Sequence, residues 1–314
     1  MTNVAVLCPG QGSQRVGMGK DLADAFPEAR EVFAAVDDAL GIPLTRVMWE
    51  GPEDLLTRTD HAQPAILAHS AAVWAVVGPK LKGLVAAAAG HSLGEYSAYV
   101  AAGTLQAVEG ARLVRKRGEL MHAAGTEHPG TMAAVIGLPA EQVFAACEQA
   151  SAAGSGVVVA ANLNEPTQTV ISGDPEAVAR AGELLKAAGA KRVIALKVSG
   201  AFHSPLMAPA QLGLSGELTG ASLRPPAFPV IANATAEPVR DAETARAQLA
   251  AQLTSPVRWE ESVRTLAELA GGQPRFVEIG PGNVLTGMAK RIVPGAATLT
   301  LGTAADVSAF LAAA

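Results

Sequence analysis

Cysteine is nearly absent: Cys8 and Cys147 are the only two in 314 residues. They stand far apart with no metal or dithiol spacing, which excludes a disulfide framework, a zinc cluster and a redox pair. Both are expected to be plain buried thiols. Positive charge is scarce too. Lys and Arg number 24 against 29 Asp and Glu, for a net charge of −5, so no cationic surplus is available for phosphates and a nucleic-acid partner is excluded. Long apolar runs are also missing. The longest, AILAHSAAVWAVVG, contains a histidine and is too short to span a bilayer. The first residues, MTNVAVLCPG, enter a strand directly, with no basic segment leading into a signal-length apolar run. The expectation is a soluble chain in a reducing, cytoplasmic compartment, with no membrane contact. What is plentiful is apolar: 49% of residues are hydrophobic and 17% charged, enough for a sizeable core in one large domain or two ordinary ones.

Strand and helix signals alternate through the first third. VAVLCPG reads as a strand running into a glycine-rich turn, HAQPAILAHSAAVWAVV as a helix, GLVAAAAG as a strand and AVEGARLVRKRGELMHAA as a helix. This alternation predicts an α/β layer on a mainly parallel sheet. The middle has another rhythm: TMAAVIGL, PAEQVFAACEQA, GVVVAANLN, TQTVISGD, PEAVARAGELLKAAGA and KRVIALKVS run strand, helix, strand, strand, helix, strand. That βαββαβ order is the order of a ferredoxin-like unit. The α/β pattern resumes with FPVIANAT and RFVEIGPG. The sequence therefore predicts a discontinuous large domain, 1–125 and 199–314, with a small ferredoxin-like domain inserted at 126–198. A ligand cleft is expected between them.

GHSLGEY lies between the strand GLVAAAAG and a helix, and contains Gly90-x-Ser92-x-Gly94. This spacing puts a serine on a sharp strand-to-helix turn, its hydroxyl exposed and the following N–H groups aimed at the oxygen of a bound acyl group. The alternative is a tight turn packed with small residues. A serine nucleophile needs a base. Of six histidines, His91 neighbours the serine but projects to another side of the turn. His203 ends VSGAFH and is followed by Ser204-Pro205, a helix-start signature, so it sits on a strand-to-helix connection where functional residues gather. No histidine follows it, which counts against an ordinary esterase with its histidine near the C-terminus. Arg117 shares a helical stripe with Leu113, Val114, Leu120 and Met121. A guanidinium on an apolar stripe needs an anion. That anion is either an internal Asp or Glu or a substrate carboxylate, whose geometry suits the guanidinium fork.

With Ser92, His203 and Arg117 in view, the chain resembles the malonyl-CoA:acyl-carrier-protein transacylases, the acyltransferases of fatty-acid synthesis. The resemblance runs along the whole chain through PGQGSQ, GHSLGEY, RLVRKRGELM, AFHSPLM, QLTSPVRW and EIGPGNVLTGMAKRI. It implies an α/β-hydrolase-like large domain and ping-pong transfer of malonyl from malonyl-CoA to the phosphopantetheine thiol of acyl carrier protein, through malonyl-Ser92. His203 would be the general base, the backbone N–H groups of Gln11 and Leu93 the oxyanion hole, and Arg117 the malonate clamp. Gln252 matches the position whose main-chain carbonyl orients the histidine, which explains the lack of a triad aspartate. Phe202, Met121 and Asn162 match substrate-pocket positions, with bulky Phe202 leaving little room for the methyl of methylmalonate. A single methyl biases selectivity by ~1–3 kcal/mol and sets no absolute bar. No metal or cofactor is implied, and the enzyme is expected to be a monomer.

PGQGSQRVG fails as a dinucleotide fingerprint because Arg15 takes the third glycine position; as a turn that carries Gln11 to an oxyanion it makes sense. An acidic carrier protein docking on an acidic enzyme needs a local basic patch. Lys191 with Arg192, and Lys290 with Arg291, are expected to flank the cleft entrance. Two other readings of the same residues are a serine thioesterase or esterase on the same elbow and a silent carrier-binding module; a discrete polyketide acyltransferase is a third.

Overall fold

The computed structural model describes residues 3–154 and 156–313. Among them lie ten strands: β1 (Val4–Cys8), β2 (Val85–Gly90), β3 (Thr131–Ile136), β4 (Val158–Glu165), β5 (Gln168–Gly173), β6 (Arg192–Ala195), β7 (Val230–Ile231), β8 (Pro238–Val239), β9 (Arg275–Ile279) and β10 (Ala297–Leu301). Six form one sheet in the order β10-β9-β1-β2-β7-β8, parallel except for its terminal β7–β8 pair. The other four form a second sheet, order β4-β5-β3-β6, in which every pairing is antiparallel. The expected α/β architecture on a parallel-rich sheet is therefore present, and the continuous stretch 131–195 supplies the second sheet.

All five residues of β1 are buried, as a central parallel strand covered on both faces requires. Alternate side chains serve two cores. Val6, Cys8 and Ala88 face one with Ile66 and Tyr96, while Ala5, Leu7, Ala87 and Ala89 face the other with Trp259 and Phe276. The helix Thr59–Leu81 is buried over most of its 23 residues, which is why its sequence is apolar all round. Pro64 inside it has no N–H for the Asp60 carbonyl one turn back. Arg115 Nη1 donates to that carbonyl instead, at 2.9 Å. Arg115 belongs to the helix Ala107–Glu127, which crosses the first helix so closely that a β-carbon at Gly118 would stand 2.6 Å from Asp60 Cα. This close approach aims the adjacent residue, Arg117, at Gln63.

Two strands stop earlier than their sequence signals. KRVIALKVS keeps only Arg192–Ala195 in the sheet, because the chain then turns along the cavity wall through Leu196, Lys197 and Val198. FPVIANAT contributes only Val230–Ile231, because Asn233 leaves the sheet to bond the Ser92 turn. Strand β4 of the second sheet is tied to the segment that precedes the helix Trp259–Leu269 and to the helix Val284–Ile292. Leu163 N–H donates to the Val257 carbonyl at 2.9 Å, Val257 N–H donates to the Ala161 carbonyl at 2.8 Å, and Arg291 pairs with Glu165.

Candidate active site

Strand β2 ends at Gly90, and the helix Gly94–Ala101 starts four residues later. Ser92 between them has φ 52°, a left-handed conformation that costs a non-glycine residue on the order of 1–3 kcal/mol. The flanking glycines are forced by contact: a β-carbon at Gly90 would overlap the Gly94 backbone, and one at Gly94 the Cys8 carbonyl oxygen. Asn233 holds the turn in shape. Its Oδ1 accepts Ser92 N–H at 2.7 Å, and its Nδ2 donates to the Gly90 carbonyl at 2.8 Å.

Ser92 Oγ lies 2.7 Å from His203 Nε2. The other ring nitrogen, Nδ1, faces two main-chain carbonyls, Gln252 O at 3.1 Å and Ser255 O at 3.2 Å. Two acceptors put the proton on Nδ1 and leave Nε2 free to accept from the serine. Burial, assisted by the nearby Arg117 charge, pushes the imidazole down to about 3, so the ring is neutral at neutral pH. His91 turns away, as expected, with Nε2 2.8 Å from Asn164 Oδ1 and its ring against Trp259.

Arg117 is 1% exposed and makes no direct ion pair among the described residues. Nη1 donates to Gln63 Oε1 at 2.7 Å, while Nη2 donates to Gln252 Oε1 at 3.0 Å and to Ser92 Oγ at 3.1 Å. Its guanidinium carbon lies 5.8 Å from the Tyr96 ring centre. The internal ion pair that the sequence left open is therefore not made by contact. Gln252 does more than offer its carbonyl: its Nε2 also donates to the Ser92 carbonyl at 3.0 Å and to Glu95 Oε2 at 2.7 Å.

These groups open into a cavity of about 480 Å³. Gln11, Leu93, Met121, Asn162 and Phe202 all line it with Ser92, Arg117 and His203. Among the described residues the backbone N–H groups of Gln11 and Leu93 have no protein acceptor, as an oxyanion hole needs. Gln11 is held from its side chain, Oε1 accepting Thr59 Oγ1–H at 2.9 Å. Lys191, Arg192, Lys290 and Arg291 are exposed but do not line the cavity; the cation that does, outside the reaction centre, is Lys197. Sequence reading missed Asn233, Glu95, Gln63 and Ser255. Gln63 stands within HAQPAILAHS, four residues after Thr59, where the sequence shows only a polar residue on an apolar helix. Among the described residues no group of three or more His, Cys, Asp or Glu side chains is placed to hold a metal, and no helix is long and apolar enough to cross a membrane.

A serine on a strained elbow, a neutral histidine at its oxygen and two cavity-lining residues whose amides have no protein acceptor form a serine acyl-transfer site, and residues 6–303 match the family described as the acyl transferase domain. The chain is 43% identical over 311 residues to the malonyl CoA-acyl carrier protein transacylase of Salmonella typhimurium, covering 99% of each. It is 44% identical to that of Bacillus subtilis, covering 93% of this chain and 91% of the relative. Among solved structures, the acyl-carrier-protein-S-malonyltransferase of Bartonella henselae superposes with a TM-score of 0.93 at 43% identity and 99% coverage of both chains. A malonyl-transacylase in complex with its type II PKS acyl-carrier protein superposes with a TM-score of 0.94 at 42% identity, covering 100% of each. The chain belongs to the malonyl CoA-acyl carrier protein transacylase family.

Proposed function

We propose that this enzyme moves malonyl from coenzyme A to acyl carrier protein by a ping-pong mechanism through malonyl-Ser92. The observation that carries the reading is one hydroxyl with two neighbours. Ser92 Oγ stands 2.7 Å from a neutral imidazole and 3.1 Å from a buried guanidinium that has no acidic contact. His203 Nε2 takes the serine proton as Oγ bonds to the thioester carbon. The tetrahedral oxyanion is received by the N–H groups of Gln11 and Leu93, donors aimed where charge develops. The carbon–sulfur bond then breaks, and the thiolate of coenzyme A leaves with the proton from His203. In the second half His203 removes the proton of the phosphopantetheine thiol as its sulfur attacks the ester carbon of malonyl-Ser92, and it returns that proton to Oγ when the carbon–oxygen bond breaks, regenerating the serine. The Gln252 and Ser255 carbonyls do the orienting work of a triad carboxylate. Arg117 takes the malonyl carboxylate in a bidentate pair, and Phe202, Met121 and Asn162 shape the space around it.

The strand order and pairing of β3 to β6 support an inserted ferredoxin-like unit, and the β2–Ser92–helix turn supports an α/β-hydrolase-like large domain. Lys197 on the cavity wall, with the exposed Lys191, Arg192 and Lys290, offers a basic surface for an acidic carrier protein. We place the enzyme as a cytoplasmic monomer that supplies extender units for fatty-acid synthesis. Comparing discharge by a fatty-acid and a polyketide holo carrier protein tests that assignment.

Incubation with malonyl-CoA followed by digestion and mass spectrometry is expected to show a malonyl adduct on the Ser92 peptide that holo carrier protein discharges. Arg117→Ala is expected to lose malonyl loading far more than acetyl loading, because an unpaired buried carboxylate costs on the order of 3–5 kcal/mol. An active preparation with no adduct, or equal losses for both acyl groups, would overturn the reading.

A further inference from the structure

One buried carboxyl takes no part in the transfer chemistry. Glu95, in the first turn of the helix Gly94–Ala101, is 0% exposed. Its Oε2 accepts Gln252 Nε2–H at 2.7 Å and Asn233 N–H at 3.0 Å, while Oε1 has no partner among the described residues. The Gln252 carboxamide therefore stands between two opposite charges. Its oxygen accepts from Arg117 and its nitrogen donates to Glu95, an orientation in which the amide dipole favours both. The charge opposite Arg117 lies one amide away.

Few other titratable groups face this carboxyl. Tyr96 and Tyr99, on its own helix, are phenols that burial pushes up, so both are uncharged. Asp241 faces Tyr99 from beyond it. From the elements packed across, Asn233 and Gln252 are neutral and Arg117 is the cation. Burial raises the Glu95 carboxyl to about 7, against the opposing pull of Gln252, Asn233 and Arg117.

We propose that Glu95 is the counter-charge of Arg117 in the empty site and takes up one proton when the carboxylate of the acyl group seats on the guanidinium. The inference rests on the reading of Arg117 as the malonyl clamp. Its physical basis is that two carboxylates and one cation buried together cannot all stay charged cheaply, so the carboxyl without a direct ion pair is the one that neutralises. The proton comes from solvent and goes to Oε1, because Oε2 is already engaged by two N–H donors. Both of those bonds survive protonation, so Asn233 and Gln252 keep the elbow and the histidine in place while the charge changes. Glu95 is thus a positioning and charge-balancing residue.

The test uses the full chain carrying Ser92→Ala, which binds acyl-CoA without being acylated. Titration calorimetry at pH 8 in phosphate and in Tris, buffers with different ionisation heats, counts protons directly. Uptake of most of one proton per malonyl-CoA, and of none per acetyl-CoA, is expected. The malonyl-CoA Kd is also expected to rise by up to ten-fold per pH unit above about pH 7, where the empty-site carboxyl ionises. Adding Glu95→Gln, whose amide mimics the protonated carboxyl, should abolish the uptake and flatten the pH dependence. Binding of malonyl-CoA without proton uptake by the chain that retains Glu95 overturns the proposal, and so does an unchanged pH slope in Glu95→Gln. The first measurement decides even when the second variant does not fold. Arg117→Ala in the same background separates the two ideas. If it weakens malonyl-CoA no more than acetyl-CoA, the clamp reading itself has failed; if it weakens malonyl-CoA selectively but no proton is taken up, only the Glu95 proposal has.

Discussion

Asn233→Ala tests how the nucleophile is held. The side chain makes two hydrogen bonds to the elbow, accepting Ser92 N–H at 2.7 Å and donating to the Gly90 carbonyl at 2.8 Å, and it is itself fully buried. Alanine leaves both backbone groups without their partner. Each buried unsatisfied group costs ~1–3 kcal/mol, so the folded state should lose about 2–6 kcal/mol. The left-handed φ of 52° at Ser92 is then less firmly imposed, and relaxation of that strain moves Oγ relative to His203 Nε2. A shift of about 1 Å in a reacting group costs on the order of 10²-fold in rate. Single-turnover acylation is expected to slow by about that factor for malonyl-CoA and acetyl-CoA alike, since the fault lies in the nucleophile and not in the carboxylate clamp. Asn233→Asp keeps the acceptor for Ser92 N–H and loses the donor to the Gly90 carbonyl, against which it sets a second acceptor, so it should also be impaired. A denaturation midpoint and an acylation rate both equal to the parent's in Asn233→Ala would refute the argument, because they would mean that the turn holds itself.

Gly94→Ala is expected to abolish soluble expression or acylation, because its β-carbon would overlap the Cys8 carbonyl oxygen of the central strand; an active, stable Gly94→Ala protein would show that the strand–helix packing yields. His203 has its pKa depressed to about 3 in the fold, so the unfolded chain takes the proton first, and its contribution is whole above about pH 6.5 and drains as pH falls towards 3. Urea midpoints measured from pH 7 to pH 4 should therefore fall less steeply in His203→Gln than in the parent, even though Glu95 acts in the opposite sense in both proteins; parallel curves would contradict a buried neutral imidazole.

The elbow was legible because its sequence signature is local, although Asn233 and the Cys8 carbonyl, both far away in the chain, complete it. A small-residue strand, Gly90, Ser92, Gly94 and a helix lie within a few residues, and the glycines are there because side chains would collide. Arg117 was legible as an anomaly, one charge on an apolar helical stripe, but not as a group with only neutral contacts. His203 was found from its helix-start context, and its short link to Ser92 spans 111 positions. Asn233, Gln63 and Glu95 gave no comparable signal. Asn233 reads as part of a strand that FPVIANAT should continue, and its partner Ser92 lies 141 positions away. The docking pairs show the reverse problem: a basic dipeptide is visible in any sequence, but only the fold tells that Arg291 pairs with Glu165 and that Lys197 reaches the cavity.

By itself, then, the amino-acid sequence determined the layered α/β architecture, the sharp serine turn and the identity of the main chemistry-bearing side chains, because periodicity, glycine spacing and helix starts act over short stretches of chain. The tertiary structure alone decided what those side chains mean to one another. It set the tautomer of His203 by two main-chain carbonyls, and it buried Arg117 without a direct counter-ion. It also placed the Gln252 amide, 135 positions from Arg117 and 157 from Glu95, between the two charges. Hydrogen bonds between buried polar groups depend on which segments the fold brings within 3 Å, and no local pattern carries that information.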